Sequence, residues 1–365
     1  MTIVWAVLAG LGALAFLVGA NSADAASVWS IYLVNLVFWS GLAVTGPAIA
    51  GMMQLTEARW SPSVRRIAVT TAGFLPAAFV LLLVLFIGRA TLYPWTTKPL
   101  PVKAVWLNTP FFWGRNLGLA LLLFFVCLAF ARMSLRDPIP PDNEGERGRR
   151  NRVATALLFL WIITVSLWGF DLVMSLDPVW YSGLFGGYFV VSTLYTAFAL
   201  LSILTILANR RGLGVPPGAV QDVAKLQFAM SIMWMYFFWS QYLVIWYGNV
   251  PIETRFVAYR FFESPWKTLA WVVFFVGWLI PFAYLLKRLT GRPPARHGAL
   301  FVIACFGLIA IFLERVLVVF PSVIAKGTPN FALSDVLITA GFLALFALGR
   351  RWFFARYRPT ADLTH

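Results

Sequence analysis

The chain has 365 residues, 61% of them hydrophobic and 12% charged, with a mean hydropathy of +0.80. A soluble globular domain is about 45–50% apolar and about 25% charged, so that class is excluded, as are disorder, collagen-like repeats and, with only Cys127 and Cys305, a disulfide scaffold. The formal charge of +15 would suit nucleic acid, but its placement along the chain argues for a membrane surface and no nucleic-acid partner.

What remains is an all-α integral membrane protein. Its apolar runs are long and unbroken, unlike the alternating segments of a barrel. At roughly 20 helical residues per crossing, the length holds about ten transmembrane helices. In chain order the spans fall at 2–20, 27–54, 67–88, 108–131, 153–175, 184–208, 224–247, 267–286, 298–320 and 333–349. They make one polytopic domain over 1–365, with a charged cytoplasmic linker at 132–152 joining two helical halves.

Lysines and arginines set the orientation. Arg59, Arg65 and Arg66 follow span 2, and Arg132, Arg136, Arg147, Arg149, Arg150 and Arg152 follow span 4. Arg210, Arg211 and Lys225 join spans 6 and 7, Lys287, Arg288, Arg292 and Arg296 join spans 8 and 9, and the tail carries Arg350, Arg351, Arg356 and Arg358. The opposite face holds only Arg89, Lys98, Lys103, Arg255, Arg260, Lys267 and Lys326. This asymmetry obeys the positive-inside rule and places both termini in the cytoplasm. Residues 3–20 before Ala23-Asp24-Ala25 also fit a signal peptide, although no Lys or Arg precedes them.

Between the spans, residues 89–107 form an outer, proline-rich and aromatic segment that suits a rigid lid, a docking surface or an aromatic belt. Pro76 and Pro281 are expected to kink spans 3 and 8, while Pro47 with Gly46 and Gly51 loosens span 2.

Ionisable groups inside spans are costly and mark candidate sites. Asn35 on span 2, Arg115 and Asn116 on span 4, Asp171 on span 5, Gln241 and Tyr242 on span 7, and Glu314 and Arg315 on span 9 all fall at one outer-half level. The layer suits an apolar molecule with a polar head and a carboxylate that takes protons. It equally suits a buried ion-pair network pinning helices, for instance Arg115 with Asp171. In the inner half, Gln54 and Glu57 are interface caps or a proton entrance, and Ser166, Thr196 and Ser231 either extend a wire or bond their own helices. His297 and His365, the only histidines, lie outside the spans, and two cysteines cannot ligate an iron–sulfur cluster, so no haem, iron–sulfur centre or other redox metal is expected on this chain.

Two long stretches carry a family likeness. Phe170-Asp-Leu-Val-Met-Ser-Leu-Asp-Pro-Val-Trp-Tyr181 with Phe185-Gly-Gly-Tyr-Phe189, and Phe238-Trp-Ser-Gln-Tyr-Leu-Val-Ile-Trp-Tyr-Gly-Asn-Val-Pro-Ile-Glu253, resemble the F subunit of alternative complex III. Tyr32-Leu-Val-Asn-Leu-Val-Phe-Trp39 and Trp106-Leu-Asn-Thr-Pro-Phe-Phe112 fit the same pattern, and the likeness runs from about residue 28 to 323. That family belongs to the polysulfide-reductase-type (NrfD-like) membrane subunits.

The resemblance implies ten helices in two four-helix bundles, spans 2–5 and 6–9, with two peripheral helices. It implies a bacterial inner-membrane complex that oxidises quinol and passes electrons to an iron–sulfur protein and c-type cytochrome subunits. A homologous NrfD-like subunit is the better-supported quinol site, so the F-type chain contributes a quinone site, a proton pathway or structure alone. On this reading menaquinol or ubiquinol sits in the outer layer, where Asp171 takes a proton and Arg115, Asn116, Gln241 and Tyr242 position the head. Glu314 and Arg315 form a second charged pair for proton release. Asp171→Asn should then impair quinol oxidation and leave assembly intact. The sequence departs from a common quinol-site pattern in having no intramembrane histidine.

Two other classes stand beside this one. A secondary transporter would need a midplane site and paired helix breaks. An assembly scaffold would dock partners on the outer segments 89–107 and 248–266.

Overall fold

The computed structural model describes residues 2–58, 60–135, 143–213, 215–289, 296–324 and 331–357. Arg59, Arg136, Arg292, Lys326, Arg358 and His365 lie outside the described residues, as does the centre of the 132–152 linker. Ten described helices are long and apolar enough to cross a membrane. They are α1 (Thr2–Gly19), α2 (Ala25–Leu55), α3 (Pro62–Leu85), α4 (Thr109–Ser134), α5 (Glu144–Leu176), α6 (Phe185–Arg210), α7 (Gly218–Gly248), α8 (Trp266–Lys287), α9 (His297–Val323) and α10 (Leu333–Tyr357). No strand occurs among the described residues. The protein is an all-α, multi-pass integral membrane protein.

One boundary differs from the sequence reading. The segment read as linker is helical from Glu144 onward, so Arg147, Arg149, Arg150 and Arg152 ride on the first turns of α5. The Asn143 side chain accepts from the Glu146 amide at 3.0 Å, Glu144 and Glu146 meet the positive end of the helix dipole, and Glu146 pairs with Arg150 at 3.0 Å. A charged sequence reads as loop, yet capped and internally paired it extends the helix beyond the bilayer.

α2 is the axis of the molecule: its most apolar window is wholly buried, while that of α1 is almost wholly exposed. Helices α2–α5 pack as one bundle and α6–α9 as a second, with α2 touching both α6 and α9 across the seam. α10 lies against α2 and α3, and α1 lies along α10. Gly12 and Gly341 mark that crossing, where a Cβ on Gly12 would stand 2.6 Å from the Gly341 Cα.

The prolines act through the carbonyls they free. A proline has no N–H for the carbonyl four residues earlier, and a bilayer offers no water in its place. Pro47 leaves α2 unbroken, and the orphaned Ala43 oxygen accepts from Thr71 Oγ1 of α3 at 3.1 Å. Pro281 follows a π-helical turn at Phe275–Leu279, and the Gly277 oxygen accepts from Tyr195 Oη of α6 at 2.7 Å. Pro76 sits just after a 3-10 stretch, Val69–Phe74, that interrupts α3. Pro321 in α9 frees the Leu317 oxygen, which accepts from Arg260 Nε at 3.1 Å.

Candidate functional site

The polar residues predicted to share one layer separate into two centres at the same end of the bundles. The first is built on α5, where a π-helical turn, Gly169–Val173, widens the helix around Asp171. α5 meets α6 closely there: a Cβ on Gly169 would lie 2.8 Å from the Phe189 Cβ. Asp171 is fully buried and is gripped by a guanidinium fork from α4, with Arg115 Nε donating to Oδ2 at 2.7 Å and Nη2 to Oδ1 at 2.8 Å. Asn116 Nδ2 donates to Oδ2 at 2.8 Å, and Trp106 Nε1 to Oδ1 at 3.0 Å.

Each carboxylate oxygen therefore has two donors, which saturates the group. Arg115 is closed off too, because Nη1 donates to the Trp106 carbonyl at 2.9 Å and the Trp106 ring stacks 4.0 Å from the guanidinium. The segment 89–107 packs against this centre. Tyr93 and Trp95 are buried in it, Tyr93 Oη donates to the Leu172 carbonyl at 3.1 Å, and Lys103 Nζ donates to the Pro178 carbonyl at 2.7 Å. Burial, and secondarily Asp171, push the Tyr93 hydroxyl well above its ordinary pKa, so it stays protonated. Among the expected alternatives, the geometry here is that of the ion-pair network.

The other predicted residues go elsewhere. Asn35 faces α10: its Nδ2 donates to Thr339 Oγ1 at 3.0 Å, and its Oδ1 accepts from Trp39 Nε1 at 3.1 Å. Gln54 bridges α3 and α5 at the opposite end, accepting from Arg65 at 2.5 Å and donating to Asn151 at 3.1 Å, while Glu57 is exposed beside it. Thr196 and Ser231 bond carbonyls of their own helices, at 2.6 and 2.7 Å, and extend no wire. Gln241 and Tyr242 belong to the second centre and not to Asp171, a correction to the single layer. Helix level was legible from span position, but the face each residue presents depends on how the bundles rotate against one another.

That second centre is a half-open cavity of about 470 Å³ bounded by α6–α9, the short helix Pro251–Phe261 and the loop after α5. Its walls are mainly aromatic, with Trp180, Phe185, Trp234, Phe238, Trp239 and Trp271 among them. Tyr188, Gln241, Tyr242, Arg260 and Glu314 are the lining residues with a hydroxyl, amide or charged group. Glu314 is buried, accepting from Tyr188 Oη at 2.6 Å and pairing with Arg315 Nη1 at 2.6 Å. Arg315 points back into the protein, where Nη2 donates to Ser192 Oγ at 2.6 Å and the Phe189 ring lies 3.9 Å from the guanidinium. Gln241 accepts from Ser182 Oγ at 3.1 Å.

The short helix is fixed from two sides. Arg255 Nη2 donates to both oxygens of Asp177, at 2.9 and 2.8 Å, and Phe256 stacks on Trp180 with centroids 3.7 Å apart. Arg260, on the same helix, is buried, and burial pulls its guanidinium down to about 9, with Asp177 opposing that shift, so it stays charged at neutral pH. Trp180, Tyr188, Trp234 and Arg260 were not singled out from sequence. Trp180 and Tyr188 already stood in the quoted motifs. For Arg260 the usable signal was Pro321, whose freed carbonyl demands a donor.

The two quoted motifs converge on this cavity, one supplying Trp180, Phe185 and Tyr188, the other Phe238, Trp239, Gln241 and Tyr242. No protein-family model matches the chain, and no curated protein matches it.

Proposed function

We propose that this chain is a membrane subunit of a quinol-oxidising respiratory complex of the alternative complex III type, and that the α6–α9 cavity is its quinone site. It would lie in a bacterial inner membrane with both termini cytoplasmic. Its partners would be an iron–sulfur protein, c-type cytochrome subunits and a homologous NrfD-like subunit. The observation that carries the reading is the cavity: about 470 Å³, aromatic-walled, with a buried carboxylate–tyrosine pair on its inner face. Such volumes suit a drug-sized apolar ligand fixed by a few polar groups.

Quinol supplies two electrons and two protons, and the electrons leave on partner subunits. This chain's own part is to hold the head and to receive protons. Glu314 is the acceptor within reach of the cavity, and Tyr188 orients it by occupying Oε1. Arg315 Nη1 donates to the other oxygen, Oε2, at 2.6 Å. Asp171 has no such role in this reading, because all of its acceptor positions are filled from within the protein.

The reading is tested by isolating the tagged chain from its native membranes in mild detergent, recording the visible spectrum and extracting bound quinone. A c-haem band, necessarily a partner's, together with extractable quinone is expected. Ala270→Phe, which fills the cavity, should abolish the quinone and leave the haem band. A colourless single chain without quinone overturns the proposal.

A further inference from the structure

Arg260 is a buried cation whose hydrogen bonds go entirely to neutral oxygens. Nε donates to the Leu317 carbonyl at 3.1 Å, Nη1 to the Phe256 carbonyl at 3.0 Å, and Nη2 to the Val318 carbonyl at 3.0 Å and to Ser322 Oγ at 2.6 Å. A guanidinium has five N–H groups, so one donor on Nη1 remains beside the cavity that Arg260 lines. Phe256 lies 3.4 Å from the guanidinium carbon and closes one face.

Two carboxylates beside the cavity are already paired within the protein: Glu314 with Arg315 at 2.6 Å, and Asp177 at both oxygens with Arg255. Capping the carbonyls freed by Pro321 needs only a neutral donor, and Tyr195 and Thr71 do that task at Pro281 and Pro47. A permanent charge there carries a desolvation cost that helix capping does not require. All four of its hydrogen bonds go to neutral oxygens, so an anionic or electron-rich oxygen entering the cavity would be its first such partner.

We infer that Arg260 is the head-group recognition residue of this cavity, and that the cavity selects apolar-tailed ligands whose head carries an anionic or electron-rich oxygen. Arg260 donates its remaining N–H to that oxygen, while Glu314 and Tyr188 face the ligand from the α6–α9 wall. The inference rests on reading the cavity as a quinone-type site, and it adds a charge preference that the reading alone does not contain.

The test is equilibrium binding to the full-length protein, purified with its partners, of two naphthoquinones sharing one alkyl tail. One bears a 2-hydroxyl group that is ionised at neutral pH, and the other is its neutral 2-methoxy ether. The wild type should bind the ionised probe about tenfold or more tightly than the ether, since hydrogen bonds to charged partners are the strong ones. Arg260→Gln should bring the ratio near one, and Arg260→Lys should retain part of it. Recovery by Lys separates charge from the carbonyl-capping geometry, which Lys does not reproduce. Equal binding of the two probes by the wild type overturns the inference without any variant, as does a preference that survives Arg260→Gln. If neither probe binds, the cavity reading itself fails and takes the inference with it.

Discussion

Asp171 and Glu314 are both buried carboxylates at the same end of the two bundles, and each pairs with an arginine, yet their surroundings differ in kind. Asp171 receives four donors from Arg115, Asn116 and Trp106. Glu314 receives one donor on each oxygen and opens onto a cavity of about 470 Å³. A saturated charge in a dense interior can only hold helices in place. The same charge half-satisfied at the wall of a cavity has capacity left for a ligand or a proton. The number of donors and the presence of a void, not the charge itself, separate a strut from a site.

The largest effect should come from breaking the saturated centre. Asp171→Asn leaves the part-buried Arg115 without its counter-charge, and removing one partner of a fully buried pair costs about 3–5 kcal/mol, an upper bound here. Thermal unfolding of the detergent-solubilised protein should show a large fall in Tm, with reduced membrane yield. This replaces the expectation that the variant assembles normally and fails only in quinol chemistry. Arg115→Met combined with Asp171→Leu removes both charges and should recover much of the loss, because an apolar replacement of a buried pair is often close to neutral. A stable Asp171→Asn protein lacking only quinone binding would erase the contrast between the two centres.

A smaller effect is expected at the second centre. Glu314→Gln also strands an arginine, but Arg315 keeps Ser192, Thr193 and the Phe189 ring. The stability loss should be about 2 kcal/mol or less, below that of Asp171→Asn in the same assay. Quinone occupancy, by contrast, should fall at this position and not follow Tm at the other.

Much of this was legible before any coordinates. Ten apolar runs gave the spans, and the helical level of Arg115, Asn116 and Asp171 brought them to one centre. What failed was rotation about the helix axes. Gln241 lies at the level of Asp171 but turns into the α6–α9 bundle, and Asn35 turns to Thr339 on α10. A helix hydrophobic on all sides gives no periodic signal to say which face meets which neighbour. Arg260 was hidden for another reason. Counted only as a positive charge outside the spans, it served the orientation argument, whereas the structure folds the short helix back so that this side chain enters the protein beneath Pro321.

The finest discrimination comes from performing one chemical operation at both centres. Trp106→Phe and Tyr188→Phe each delete a single neutral donor to a buried carboxylate, the first also trimming the ring that stacks on Arg115. At Asp171 the deletion leaves three donors and one acceptor position unfilled, so the cost is about 1–2 kcal/mol of stability. Quinone binding should not change. At Glu314 the freed oxygen faces the cavity, where water replaces the tyrosine hydroxyl in the absence of ligand, so stability should fall by about 0.5 kcal/mol or less. The ligand then meets a carboxylate that is no longer oriented, and its affinity should drop by about three- to tenfold. Parallel unfolding and binding curves on the two variants would show stability lost at one and affinity at the other. If Tyr188→Phe instead lowers Tm as much as Trp106→Phe and spares binding, Glu314 is a second strut and the cavity beside it is not its workplace.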